Sequence, residues 1–180
     1  HAPAATNPDF FPMIVLDSIL SGASSFNLFG SGISNKTSRL YRALVLKGLA
    51  AGFSGSLAAT VDPFLYIITC AVRTDRSIEQ VEIALNEEIE RATNNPPTEE
   101  ELLKAKKQAR AMFAYSAESV TNLGFWYGFA EILDNYTWFT NYLDKLEAVT
   151  ASDVHRVAQN VLKPNNRTTG HYIPNAGRAN

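Results

Sequence analysis

Between residues 9 and 21, apolar side chains recur at four-residue spacing. Phe11, Val15 and Ile19 form one row and Leu16 and Leu20 another, with Asp17 and Ser18 as the main polar interruptions. That period is helical, and apolar residues on most sides predict a helix buried against a sheet. Pro12 is compatible with it if Asp9 caps the helix, because first-turn N–H groups have no intrahelical acceptor. A second helix is predicted over 36–47, with Leu40 and Leu44 on one side and Gly48 as the terminating residue. Residues 21–34 between them are rich in Gly and Ser but carry Phe26, Leu28 and Phe29. Flexible linkers do not expose aromatics, so this loop is expected to pack onto something.

The pattern then changes. Residues 50–61 are mostly small, Asp62-Pro63 marks a turn, and 64–73 form a strongly β-prone run. The short separation predicts an antiparallel hairpin. Small side chains on its first strand leave room beside it for another backbone or a helix.

From 77 onward the period is helical again. Ser77-Ile-Glu-Gln80 reads as a capping box opening a helix with Ile78, Val81, Leu85 and Ile89 on one stripe, broken by Asn94-Asn-Pro-Pro97. Thr98-Glu-Glu-Glu101 reads as a second box. The helix behind it has Leu102, Ala105, Ala109, Met112, Phe113 and Ser116 inward, and Lys104, Lys106, Lys107 and Arg110 outward. Further helices are predicted over 122–133 and 138–146, dense in aromatics, and from Thr150-Ala-Ser-Asp153 onward with Val154, Val157, Val161 and Leu162 inward. A short strand is predicted at 168–173. The order helix–helix–β–β–helices–β lacks a βα alternation, so the expected fold class is α+β: a mostly antiparallel sheet covered on one face by helices.

Composition narrows the picture. The 180 residues, 46% hydrophobic and 19% charged, fit one globular domain, with a core over 8–174 and a polar tail at 175–180. Sixteen Lys and Arg against 18 Asp and Glu leave a net charge of -2, without the basic footprint of a nucleic-acid binder. No apolar run approaches the ~18–20 residues of a membrane span. Cys70 is the single cysteine and lies in an apolar run, where a small buried thiol is expected rather than a nucleophile. The N-terminal residues do not read as a signal peptide, and the missing initiator Met points to a processed product or an excised piece. The compartment is left open, with a cytoplasmic setting slightly ahead of a periplasmic one.

Candidate chemistry is sparse. His1, His155 and His171 have no His or Glu at metal-ligand spacing, and packing or surface roles are favoured for the last two. Gly30-Ser-Gly32 follows no strand and is too short for a dinucleotide loop. No Gly-x-Ser-x-Gly elbow is present. N-x-T triplets at Asn35, Asn135 and Asn166 are taken as chance matches. The aromatics of 125–142 read as core rather than a ligand platform.

The order of motifs is more specific than any one of them. Pro8-Asp-Phe-Phe-Pro-Met-Ile-Val-Leu-Asp-Ser-Ile-Leu-Ser-Gly22 is followed by Ser38-Arg-Leu-Tyr-Arg-Ala-Leu44 and Lys47-Gly-Leu-Ala50. Then come Thr98-Glu-Glu-Glu-Leu-Leu-Lys-Ala-Lys106, Ala148-Val-Thr-Ala-Ser-Asp-Val154 and His171-Tyr-Ile-Pro174. From about Pro8 to Pro174 this resembles the second, non-zinc half of the pitrilysin-type metallopeptidases, the family of insulin-degrading enzyme and mitochondrial processing peptidase. The resemblance implies paired α+β halves that close as a clamshell on an unfolded peptide. Zinc then sits in the first half, on an inverted His-x-x-Glu-His helix whose Glu activates the metal-bound water. This chain has no such helix, and it also lacks the family's opening strand.

The implied function is that of an inactive, substrate-chamber domain of a zinc metalloendopeptidase. The implied partners are a zinc-binding N-terminal half of the same protein or a paired subunit, and a peptide substrate. The alternative is a degenerate, non-peptidase assembly subunit. Active members carry an Arg in the helix after Ser-Arg-Leu and a Tyr just beyond Gly-Leu, and alignment places Val45 and Ala51 there, neither able to donate a hydrogen bond. Arg39, Tyr41, Arg42 and Phe53 lie nearby as candidate substrate contacts. No cofactor is expected in the chain itself. An exposed apolar surface, on the small-residue strand or the Phe26–Phe29 loop, is expected to favour self-association, with a homodimer as one form.

Overall fold

A computed structural model describes residues 1–22 and 36–174. At its centre lies α1 (Phe10–Leu20), whose every residue is buried. A helix without a polar face must be covered all round, and α1 packs against two helices given below, α3 and α7, as well as α6 and the first strand. Helices therefore cover α1 in addition to the strand expected against it. Asp9 occupies the N-cap position without a side-chain cap. Its carbonyl still accepts from the Met13 N–H at 3.0 Å, while its carboxylate pairs with Arg156.

The second predicted helix is shorter than its pattern. Its regular part begins at Arg39 and becomes a π-helical turn over Tyr41–Leu46, with Leu40 and Leu44 fully buried. It ends where predicted: Gly48 takes φ +66°, a left-handed conformation that glycine adopts without steric cost, and Leu49 N–H reaches back to the Leu44 carbonyl at 2.9 Å. The loop expected over 21–34 lies mostly outside the described residues.

β1 (Ala50–Leu57) and β2 (Tyr66–Val72) form the antiparallel hairpin, with Ser54 opposite Thr69 and a register shift between Ala50 and Gly52. Both strands are shorter than their sequence patterns because the chain leaves the ladder on either side of Asp62-Pro63. Ala2 makes an antiparallel bridge to Phe64, just before β2. Among the described residues the sheet has two strands.

The helices that follow are α2 (Ile78–Asn94), α3 (Glu99–Ser116), α4 (Val120–Leu133), α5 (Thr137–Thr140), α6 (Tyr142–Ala148) and α7 (Ala151–Val161). Capping boxes open three of them. Ser77 and Gln80, Thr98 and Glu101, and Thr150 and Asp153 each exchange side-chain and backbone bonds, so orphan N–H groups are satisfied by residues three apart. The single helix predicted over 138–146 is two: Asn141 (φ -91°, ψ 6°) ends α5 and begins α6, in the bridge region where turns place such residues.

The aromatics divide. Trp126, Trp138, Phe139 and Tyr142 are buried, whereas Phe125, Tyr127 and Tyr136 stay exposed. Trp138 stacks edgewise on Tyr142 and tilts against Phe10 and Phe11, and its indole N–H donates to the Ala5 carbonyl at 2.9 Å. One continuous core thus joins the N-terminal residues, α1, the hairpin and the later helices.

The predicted strand at 168–173 does not form. These residues lack regular structure and are exposed. His171, and Arg167 just ahead of them, reach α2 by side chains instead, to Glu82 and Asn86, and no strand among the described residues offers them a ladder. The polar tail 175–180 lies outside the described residues.

Candidate functional site

The residues flagged by position lie on the π-helical turn and β1, which pack together. Arg39 enters that turn from its N-terminal side. Its Nε and Nη2 donate to the two carboxylate oxygens of Glu101, each at 2.7 Å. This fork-to-fork geometry is the strongest arrangement available to an Arg–carboxylate pair. The Arg39 guanidinium holds the Glu101 carboxyl down from its ordinary 4.5 to about 2, with the Thr98 backbone N–H assisting and partial burial opposing. Arg39 is shifted the other way, raised chiefly by its bonds to Glu101. Glu101 is also the third residue of the Thr98 capping box, so one carboxylate ties the start of α3 to the π-helical turn.

Arg42, one turn on, is exposed and has no side-chain partner among the described residues. Tyr41 and Phe53 are half-buried, and Phe53 packs against the core. Val45 is half-buried and Ala51 exposed. Among the described residues the fold thus commits Arg39 to Glu101 and gives Arg42 no side-chain partner.

A groove of about 440 Å³ opens beside this turn. Ser38, Arg39 and Arg42 form one wall, Glu88 and Arg91 of α2 another, and Lys104 of α3 a third. Glu88 is buried and gives one oxygen to Arg91 Nη1 at 3.1 Å, while the other has no hydrogen-bond partner among the described residues. Position-by-position reading missed Glu88. Its only sequence signal was its place one helical turn from Ala84 and Ala92 on the inward stripe of α2, where a carboxylate is unexpected.

A second polar cluster lies beneath the hairpin. Asp17, fully buried on α1, accepts from Ser21 Oγ and from the Tyr66 hydroxyl, both at 2.9 Å, and those two hydroxyls are 2.6 Å apart. Burial, and then the Asp17 charge, push the Tyr66 hydroxyl well above the usual phenol range. Gly55 faces this cluster. A Cβ there would meet Ser21 Cβ at 2.4 Å and Asp17 Oδ1 at 2.8 Å, so only glycine allows β1 so close to α1.

The histidines are engaged separately. His155 Nε2 bonds the Thr93 carbonyl at 2.9 Å, and His171 lies 3.4 Å from Glu82. Cys70 is half-buried, and burial raises its thiol above the ordinary value. Among the described residues no three His, Cys, Asp or Glu side chains converge as a metal site, and no helix is long and apolar enough to cross a membrane.

Comparisons with known proteins follow the same outline. A family described as the peptidase M16 inactive domain matches residues 1–109. A crystal structure of a candidate zinc protease from Bordetella pertussis Tohama I superposes with a TM-score of 0.81 at 26% identity, covering 97% of this chain and 89% of that one. The inactive peptidase domain of a candidate zinc protease from Bordetella parapertussis gives 0.80 at 26% identity, covering 97% and 88%. A protease from Helicobacter pylori shares the fold, with a TM-score of 0.74 at 20% identity; the match covers 88% of this chain and 36% of that one. No protein of curated function matches.

Proposed function

Because the chain belongs to the family of peptidase M16 inactive domains, we propose that it forms the substrate-chamber half of a zinc metalloendopeptidase acting on peptides or unfolded chains. In this reading the metal and its activated water belong to a partner half, in the same protein or a paired subunit. The observation that carries it is the likeness, along 97% of the chain, to the inactive peptidase domain from Bordetella parapertussis.

This half supplies surface. Arg42, with no side-chain partner among the described residues, offers its guanidinium to a substrate carbonyl or carboxylate, Tyr41 and Phe53 offer partly apolar walls, and the Arg39–Glu101 pair holds the turn next to them. Tested with its zinc-binding half, the chain should restore chelator-sensitive cleavage of an unfolded peptide, and Arg42→Ala should raise KM more than it lowers kcat. A complex that binds zinc but cleaves nothing would favour a second reading, a degenerate assembly subunit. What speaks for that reading is Val45 and Ala51, two side chains without a donor at the positions where the resemblance to the family implies an Arg and a Tyr in active members.

A further inference from the structure

Four basic and three acidic side chains line the groove beside the π-helical turn, and they are not equally available to a ligand. Both oxygens of Glu101 are taken by the Arg39 fork, and Oε2 also accepts from the Thr98 N–H and hydroxyl. Glu88 lies behind Arg91: its side chain is 8% exposed, against 61% for the Arg91 side chain that pairs with it. The Glu88 oxygen that bonds nothing is itself buried. Among the described residues this leaves Glu100, on the first turn of α3, as the exposed acid of the groove.

The donors run the other way. Arg42 on the π-helical turn and Lys104 on α3 have no side-chain partner among the described residues, and Arg91 on α2 gives Glu88 only Nη1. These three cations stand on three different elements around one groove. Ile19 and Ala105, both buried, add an apolar surface between them. The volume of about 440 Å³ lies within the roughly 300–1,000 Å³ of small ligand clefts. Cationic donors arriving from several directions over an apolar surface suit a carboxylate on a short apolar stem.

Resting on the chamber-half reading, we propose that this groove binds a carboxylate of the peptide, so that this half favours acidic chains. Arg42 and Lys104 hold the carboxylate from two walls, Arg91 adds charge from the third, and the methylenes of a Glu side chain lie on Ile19 and Ala105. A free C-terminal carboxylate carries the same chemistry. Glu100, one turn before Lys104, opposes the bound anion.

Fluorescence anisotropy on the whole chain, without a zinc-binding half, tests this with labelled unstructured peptides of equal length. A C-amidated peptide carrying Glu should bind about tenfold more tightly than its C-amidated Gln counterpart, and added salt should shrink the difference. A Gln peptide with a free C-terminus distinguishes the two sources: if it alone binds tightly, the terminus is the carboxylate held. Arg42→Ala and Lys104→Ala should each weaken binding, by roughly tenfold or less. Glu100→Gln should tighten it, which a damaged fold would not do. Lys107→Ala, exposed on α3 and outside the groove, should leave it unchanged. Equal binding of all three peptides, or a loss for Lys107→Ala as large as for Arg42→Ala, would overturn the proposal. Failed cleavage by the complex counts against the chamber-half reading, and failure of this titration counts against the groove alone.

Discussion

At the scale of single residues the fold is held by close approaches that composition does not reveal. Gly55 lets β1 lie against α1, and Gly55→Ala should destabilise the chain by about 1–3 kcal/mol, because Ser21 Cβ sits too close for a methyl group. Urea unfolding would measure it. Tyr66→Phe removes one donor from a buried carboxylate and should cost about 1–3 kcal/mol in the same assay. Glu101 gives a pH signature. Its carboxyl is depressed to about 2 in the fold from an ordinary 4.5, so its stabilisation is complete above pH 4.5 and is lost as pH falls towards 2. Urea midpoints through that window should fall less steeply for Glu101→Gln than for the unmodified chain. Asp17 and Ser18 were legible only as polar interruptions of an apolar pattern; that Asp17 is a buried acceptor for Tyr66, 49 residues away, is a tertiary fact.

At the scale of elements, signals confined to four residues were read well. The Ser77 and Thr98 boxes and the Gly48 terminator depend on bonds within one turn, and they stand where the sequence puts them. Thr98→Ala removes the hydroxyl that accepts from the Glu101 N–H and donates to the Glu101 carboxylate, so it breaks one half of the box and also loosens the carboxylate that grips Arg39. It should therefore cost more than Ser77→Ala, which lies near the usual ~1 kcal/mol for a lost cap. Comparing the two denaturation curves checks that coupling. Elements that depend on distant partners were read less well. The 168–173 run has strand-like side chains but no neighbouring strand among the described residues, and it reaches α2 through His171, with Arg167 just ahead of it. The split at Asn141 follows from backbone geometry in a stretch whose aromatic spacing looks continuous.

At the scale of the whole molecule, the order of motifs carried more than any site, because no single residue marks a half that holds no metal. The π-helical turn, β1 and the Arg39–Glu101 pair form one wall, on which Arg42 is exposed and without a side-chain partner among the described residues. The proposed function places the metal chemistry on another half. Elemental analysis of this chain alone and of its purified complex with the zinc-binding half tests that assignment most directly. The account predicts no zinc above adventitious traces in the chain and one tightly held ion in the complex. One equivalent of zinc retained by the isolated chain after dialysis against chelator would contradict it.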